Sequence, residues 1–280
     1  MAKILGIVAS NRRVGNGEIM VKAAARAAGL EHTLELLRLP EFKLLSCRAC
    51  YKCTKPDGKC ILDDDLNFII DKMVKADGII ISTPTYVRGP AAGLKMLGDR
   101  VIAIAQHLDE IWQKPTIVIC THGPKGDEGY ALSATLALTR MIGLGVKDAH
   151  SFLGAMPGEA MQTEGNLERV KQMGGALFGE GRRHQDGECP YCWSNIWKFS
   201  RPDLAVCPIC LTEGKLSVNN GKITVEYGDS PTQVFGYDWL NDHFRADLAA
   251  GVKDFQKKRE ELKQIKDQYK SDGDIWLKKE

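Results

Sequence analysis

KILGIVASNRRVGNG, residues 3–17, decides the fold. Ile4, Leu5, Ile7 and Val8 form a short apolar run rich in β-branched residues, which predicts a buried strand ending near Ser10. Gly15 and Gly17 then mark a loop, and an Ala-rich stretch over 18–28 predicts a helix. A helix that starts directly after such a loop turns its free backbone N–H groups toward the loop, where they suit a phosphate. Ser10, Arg12, Arg13 and Asn16 add donors and positive charge. The same composition suits a solvated turn, but the strand before it and the helix after it favour an anion site. The Gly-Lys-Ser/Thr ending of a Walker A loop is missing. No G-x-G-x-x-G fits a strand–helix turn, which disfavours a Rossmann dinucleotide fold.

Outward from this unit, strands and helices alternate. Further strands are predicted over 32–39, 78–83 (GIIIST), 116–121 (TIVICT) and, more weakly, 146–153. Helices are predicted over 66–75, 90–106, 130–142 and 166–178. Such alternation implies a parallel sheet covered on both faces. Five units suit an α/β three-layer sandwich of the flavodoxin-like kind, with a five-stranded parallel sheet. Its ligand belongs beyond the carboxyl ends of the strands, at the topological switch point.

Two more loops fall at such ends. Ser82-Thr83-Pro84-Thr85-Tyr86-Val87-Arg88-Gly89 follows the third strand, with hydroxyls at Thr85 and Tyr86 and a ring at Tyr86 able to flank a flat heterocycle. Thr121-His122-Gly123-Pro124 follows the fourth; His122 is equally readable as a structural or solvent-facing residue. Cys120, inside the apolar strand, reads as a buried core thiol. Substrate choice is expected to depend on 124–129 and 156–161.

Eight of the nine cysteines fall into two groups of four. Tight C-x-x-C pairs in a chain of this kind suggest metal sites ahead of a disulfide framework. Cys47, Cys50, Cys53 and Cys60 form C-x2-C-x2-C-x6-C, with a Pro56-Asp57-Gly58 turn before the fourth. The first three have ferredoxin-type spacing, which favours a 4Fe-4S cluster over zinc. Cys189, Cys192, Cys207 and Cys210 form two knuckles, CPYC and CPIC, at zinc-ribbon spacing. Zinc is favoured there over rubredoxin-type iron, since Trp193 and Leu211 stand where rubredoxin knuckles usually have glycine. A hairpin with its turn at Asn220-Gly221 fits the ribbon. Trp193, Trp197 and Phe199 read as ribbon core ahead of a cap over a ligand.

The domain reading is a main domain over 1–185 with the cysteine loop 47–60 inserted, a ribbon over 186–230, and a helical segment over 231–280. A charged helix is predicted from 237 to 270, with Val252, Phe255, Leu262, Ile265 and Tyr269 near helical spacing. A net charge of +2 gives no electrostatic case for a nucleic-acid partner or a polybasic membrane anchor. No apolar stretch approaches the roughly 20 residues that span a bilayer, and the N-terminus runs straight into a strand. A cytoplasmic protein without a signal peptide is expected.

SNRRVGNG resembles the phosphate loop of NAD(P)H-dependent FMN reductases, usually Gly-Ser-Pro-Arg-x-x-Gly-Asn-Thr. STPTYVRGPAAGLKMLGDR resembles the same family's second flavin loop and following helix, and the cysteine group before ILDDDL resembles the iron–sulfur flavoprotein branch. Ala9, Asn11 and Gly17 replace the usual Gly, Pro and Thr, and the last change removes one hydroxyl. The resemblance implies FMN, with its phosphate at Ser10, Arg12, Gly15, Asn16 and Gly17. Its ring would lie near Pro84, Thr85, Tyr86, Thr121, His122 and Gly123. It also implies a 4Fe-4S cluster near the FMN of a neighbouring subunit, hence a homodimer or homotetramer.

The expected function is an FMN- and iron–sulfur-dependent oxidoreductase. Electrons from ferredoxin or NAD(P)H would reach a small-molecule acceptor, with Tyr86 and His122 as candidate proton donors. The alternatives are a cluster-free NAD(P)H-dependent FMN or quinone reductase and a non-catalytic electron carrier or adaptor.

Overall fold

The computed structural model describes residues 1–55, 58–228 and 233–270. Pro56 and Asp57 of the expected turn lie outside the described residues, as do 229–232, at the boundary between the ribbon and the helical segment, and the last ten residues, 271–280.

The main body alternates β1 (Ala2–Val8), α1 (Asn16–Arg26), β2 (His32–Arg38), α2 (Leu66–Lys75), β3 (Gly78–Tyr86), β4 (Gly89–Pro90), α3 (Ala92–Gly98), α4 (Val101–Ala105), α5 (Leu108–Ile111), β5 (Pro115–His122), α6 (Ala131–Met141), β6 (Gly145–Leu153), α7 (Glu159–Gln162) and α8 (Asn166–Phe178). Five parallel strands run in the order β2-β1-β3-β5-β6, and the two-residue β4 folds back antiparallel on β3. The order reverses at β1 and β3, so a crevice opens there between the loops after β1 and β3.

Each sheet face carries its own core. Leu5, Ile7, Ile79 and Ile81 pack on α2, α3 and α4, whereas Ile4, Val8, Ile80, Ile117 and Ile119 pack on α1 and α8. This alternation along β1 and β3 is why both strands read as continuous apolar runs. α8 crosses α1 closely: a Cβ on Gly174 would meet the Ala24 carbonyl oxygen at 2.1 Å, so only glycine fits there.

The single helix expected over 90–106 is two short ones, α3 and α4, with α5 following beyond it. The break falls at Asp99–Arg100, directly after Gly98, and the Arg100 side chain makes a buried ion pair with Asp64.

Beyond α8, a four-stranded antiparallel sheet orders β10-β9-β8-β7, from β7 (Lys198–Arg201), β8 (Leu204–Val206), β9 (Glu213–Asn219) and β10 (Lys222–Tyr227). The β9–β10 turn has Asn220 and Gly221 both at positive φ, as a two-residue type I′ turn requires. The ribbon is plugged into the body by Trp193, buried against Val118, Cys120, Leu136 and Ala149. Arg182 lies over the Trp193 ring at 4.8 Å and bridges Asp148 and Glu188. Trp193 is therefore body core, Trp197 packs on the ribbon cysteines, and Phe199 is exposed. None of the three lines the crevice.

The predicted terminal helix is also interrupted. α9 (Tyr237–Asn241), a π-helical turn (Asp242–Asp247), α10 (Leu248–Lys257) and α11 (Arg259–Gln268) follow one another. Leu240 and Phe244 pack on Ala105 and Leu108 of the body. Phe255, Ile265 and Tyr269 of the expected stripe are exposed, so the stripe is not core of this chain.

His150 of β6 sets an acid limit on this packing. Burial, reinforced by the Arg169 charge, pushes its imidazole down to about 4. The unfolded chain binds a proton there first, so the stabilisation is complete above about 6.5 and drains as pH falls toward 4. Two to three pH units correspond to about 3 kcal/mol. Urea melts of the protein and of His150→Gln across pH 4–7 should show the variant losing less stability on acidification; parallel curves would refute this.

Candidate functional site

The three loops meet in one cleft. Ser10, Arg12, Asn16, Gly17, Pro84, Thr85, Tyr86, Thr121, His122 and Gly123 all line it. Gly15 sits just behind as the residue that caps α1, with no side-chain cap, so the first-turn N–H groups face the cleft uncommitted to a cap. Gly154 and Ala155, after β6, close a side that the sequence reading missed, and Pro124 and Asp127 of the expected 124–129 segment also line the cleft.

Within this lining two expected phosphate contacts change their meaning. The Asn16 amide donates to the Gly154 carbonyl at 2.9 Å and its oxygen accepts from Ala160 N–H at 3.4 Å. Its side chain thus ties α1 to the loop after β6, leaving its backbone N–H for a ligand. The Arg12 guanidinium donates to the Ala155 carbonyl, and the Arg38 guanidinium reaches the Arg12 carbonyl at 2.8 Å.

Glu18, buried in the first turn of α1, braces the loop: it accepts from Val14 N–H at 2.7 Å and pairs with Arg38 and Lys22. Burial alone would raise its carboxyl, but the hydrogen bonds from Lys22, Arg38 and Val14 outweigh it and hold the group at about 2. Those two cations cancel a charge that would otherwise repel an anion at the same helix end.

Over the rest of the cleft, Tyr86 is half exposed at the rim. His122 holds Nδ1 3.0 Å from Ser151 Oγ, with Nε2 4.0 Å from Glu128. Thr85 Oγ1 is buried and has no hydrogen-bond partner among the described residues. An orphaned hydroxyl in the wall of a crevice is a position prepared for a polar ligand. An uncapped helix end, a ring at the rim and orphaned hydroxyl fit a phosphorylated flat heterocycle, and FMN has that chemistry.

A second, separate cavity is lined by all four cysteines of the first group, with Ile61, Leu62, Arg100, Ile102 and Ala103. Ala49 and Tyr51 flank Cys50 in left-handed conformation, φ 47° and 53°. Such alternation points backbone N–H groups into the concavity, an arrangement found at Fe–S sites, and Ala49 N–H lies 3.5 Å from Cys47 Sγ. Burial first, then the neighbouring Cys60, Cys50 and Cys47, pushes the Cys53 thiol up to about 11, so the bare set resists carrying several thiolate charges without a cationic centre. Arg100 donates to Cys60 Sγ at 2.9 Å and to Asp64 at 2.6 Å, and Asn67 clasps both backbone groups of Cys60. Four cysteines around one cavity with a concave backbone fit an iron–sulfur cluster.

The second cysteine group is tighter. The four Sγ atoms lie within 4.8 Å of one another and are buried, which suits one tetrahedral ion. The two knuckles repeat one hydrogen-bond plan: Cys189 N–H to Ser194 carbonyl and Cys207 N–H to Thr212 carbonyl, both 2.8 Å, with Trp193 and Leu211 N–H returning to the first cysteine's carbonyl. Trp193 and Leu211 take φ 67° and 63°, the conformation glycine would favour, so the knuckle turn forms without glycine. The absent glycines therefore do not speak against a rubredoxin-type geometry.

A doubly wound parallel sheet with an uncapped helix end at its switch point defines a flavodoxin-like flavin-binding protein. The chain belongs to the NADPH-dependent FMN reductase family, whose profile matches residues 2–154. It is 41% identical over 99 residues to an iron-sulfur flavoprotein of Methanocaldococcus jannaschii, covering 35% of this chain and 51% of that protein. A second iron-sulfur flavoprotein, from Methanosarcina thermophila, is 36% identical over 105 residues, 36% of this chain and 53% of that one. The chain thus spans about half the length of these curated relatives. A flavone synthase of Aspergillus candidus matches over more of both, 23% identical across 71% of this chain and 72% of its own. Among solved structures, a flavone reductase superposes with TM-score 0.67 over 99% of this chain and 100% of its own at 17% identity, showing that the whole arrangement, ribbon included, occurs in another protein. Among the described residues no helix is long and apolar enough to cross a membrane.

Proposed function

We propose that the protein is an FMN-dependent oxidoreductase of the iron–sulfur flavoprotein kind, which takes electrons from ferredoxin or NAD(P)H and reduces a small acceptor held in the cleft. The convergence of the three loops on one lined crevice carries this reading. Bound FMN would supply hydride acceptance and the exchange between two-electron and one-electron transfer, and a 4Fe-4S cluster the one-electron step. The chain's own residues would bind and orient. The α1 N–H groups with Ser10 and Arg12 would take the phosphate, and Thr85 Oγ1 would gain the partner it lacks. Pro84 and Gly123 would bound the ring. Ser151 fixes Nδ1 of His122, which leaves Nε2 and the Tyr86 hydroxyl as the groups able to hold or release a proton beside the acceptor.

The flavin cleft and the cysteine cavity share no lining residue. This supports a homodimer or homotetramer in which one subunit's cluster serves another's flavin. Eight clustered thiols suit a reducing compartment such as the cytoplasm. The flavone synthase likeness supports flat conjugated ketones as one acceptor class to try.

Protein purified without oxygen should contain about four irons and four acid-labile sulfides per chain, by the cubane reading of the first cysteine group. One flavin and one ribbon metal should accompany them. Flavin with two zincs and no sulfide would return the protein to the cluster-free reductase reading, and stoichiometric reduction without turnover on any small acceptor would make it a carrier.

A further inference from the structure

The Ser82 hydroxyl is an anomaly. Ser82 is 0% exposed in the middle of β3, paired with Val8 at the end of β1, and its Oγ has no hydrogen-bond partner among the described residues. Leaving a buried hydroxyl unpaired is costly, and native folds rarely do so without a reason. Its surroundings supply one. A Cβ built on Gly17 would lie 2.3 Å from Ser82 Oγ, so the hydroxyl occupies the space where a side chain at position 17 would begin. Gly17 is in the first turn of α1 and lines the cleft. The Ser82 carbonyl meanwhile accepts from Ala9 N–H at 2.8 Å, which fixes β3 directly beneath the start of the loop.

We propose that Ser82, which stands behind Gly17 rather than in the cleft lining itself, is a phosphate-binding residue, its hydroxyl reaching the anion at the α1 N-terminus through the gap that Gly17 leaves open. The assignment rests on the FMN reading above. It explains two facts together, a buried donor without an acceptor and a position 17 whose Cβ would collide with that hydroxyl. A hydroxyl is then delivered to the anion from the strand rather than from the helix. Ser10 Oγ accepts from Arg12 N–H at 3.2 Å and keeps its proton for the anion, so the two hydroxyls would approach the anion from different sides.

The geometry permits a reciprocal test. Ser82 Cβ lies 3.5 Å from the Cβ position of residue 17, an ordinary contact, so removing only the oxygen makes room for a side chain there. Flavin would be stripped from the full chain, and FMN and riboflavin titrated separately by quenching of flavin fluorescence. Ser82→Ala should weaken FMN binding by about ten- to a hundredfold, the range for one hydrogen bond to a charged group, and leave riboflavin binding almost unchanged. Gly17→Thr alone should weaken both ligands, because its Cβ collides with the hydroxyl. The double variant Ser82→Ala with Gly17→Thr should regain a large part of the FMN preference over riboflavin.

Equal losses for FMN and riboflavin in Ser82→Ala would mean a packing role and overturn the proposal. FMN affinity unchanged in that variant would do the same while leaving the FMN reading intact. A wild-type protein that binds neither flavin would overturn both.

Discussion

Replacing Cys192 by serine should cost the protein its ribbon metal and, with it, part of the stability of the body. Structural zinc contributes about 10–16 kcal/mol to small Cys-rich folds, so one ligand fewer leaves the ribbon without its main source of cohesion. The ribbon has little else: Phe235, Trp197 and Ile209 pack around the four sulfurs and form the rest of its core. Trp193, the residue after Cys192, is held in a left-handed conformation by the knuckle and fills the space over Val118, Cys120, Leu136 and Ala149. Freed from the knuckle it would relax, uncovering an apolar site of a size whose loss costs about 3–5 kcal/mol. At about 2–4 °C per kcal/mol, Tm should fall by roughly 10 °C. Metal analysis, a thermal melt and trypsin cleavage at Lys198 check this together. Unchanged melting and unchanged resistance would show that the ribbon stands on its own packing.

Arg100→Met should be the other severe change. The Arg100 and Asp64 side chains are 1% and 0% exposed, and they pair at 2.6 Å. Removing one partner of so buried a pair strands the other, at a cost of about 3–5 kcal/mol. Two more groups lose a donor at once, the Leu45 carbonyl at 2.7 Å and Cys60 Sγ at 2.9 Å. The first sits at the entry to the cysteine loop and the second is its last ligand, so iron and labile sulfide content should drop alongside Tm. Asp64→Asn combined with Arg100→Met removes both charges and should recover a good part of the stability, but not the iron. If the double variant melts lower than either single one, the ion pair is not the source of the loss.

β1, β3 and β5 were legible because each is a compact apolar run bounded by Gly, Pro or polar residues, whereas the partly alternating β2 and the polar-studded β6 gave weaker signals. The crevice follows from where the apolar runs end. Both cysteine groups were legible from spacing alone. Gly98 offered a local sign of the break after α3. The role of Arg100 was not legible, because its buried partner Asp64 lies far away in the chain and no local pattern ties the two. The roles of Asn16 and Arg12 were half legible: their residue types suit an anion, but their side chains are held by Gly154 and Ala155, which no local pattern ties to them. The knuckle turns misled in the opposite direction. Glycine is the usual sign of a left-handed turn, yet tetrahedral closure of four buried thiols and the burial of Trp193 hold Trp193 and Leu211 there. A terminal helix expected from charge and spacing came out in pieces, with its apolar stripe facing outward.

The ribbon is moored at both ends. The chain enters it beside Arg182, pinned to Asp148, and leaves it toward Leu240 and Phe244, seated on Ala105 and Leu108. It is a span between two abutments rather than a pendant on a leash. Excursions large enough to sweep another surface would have to break one mooring first, whereas the β9–β10 tip at Asn220-Gly221 overhangs freely. Additional sequence grafted at that tip would lengthen the overhang without loading either abutment, which makes it the natural place for such a protein to acquire, or be given, a further attachment.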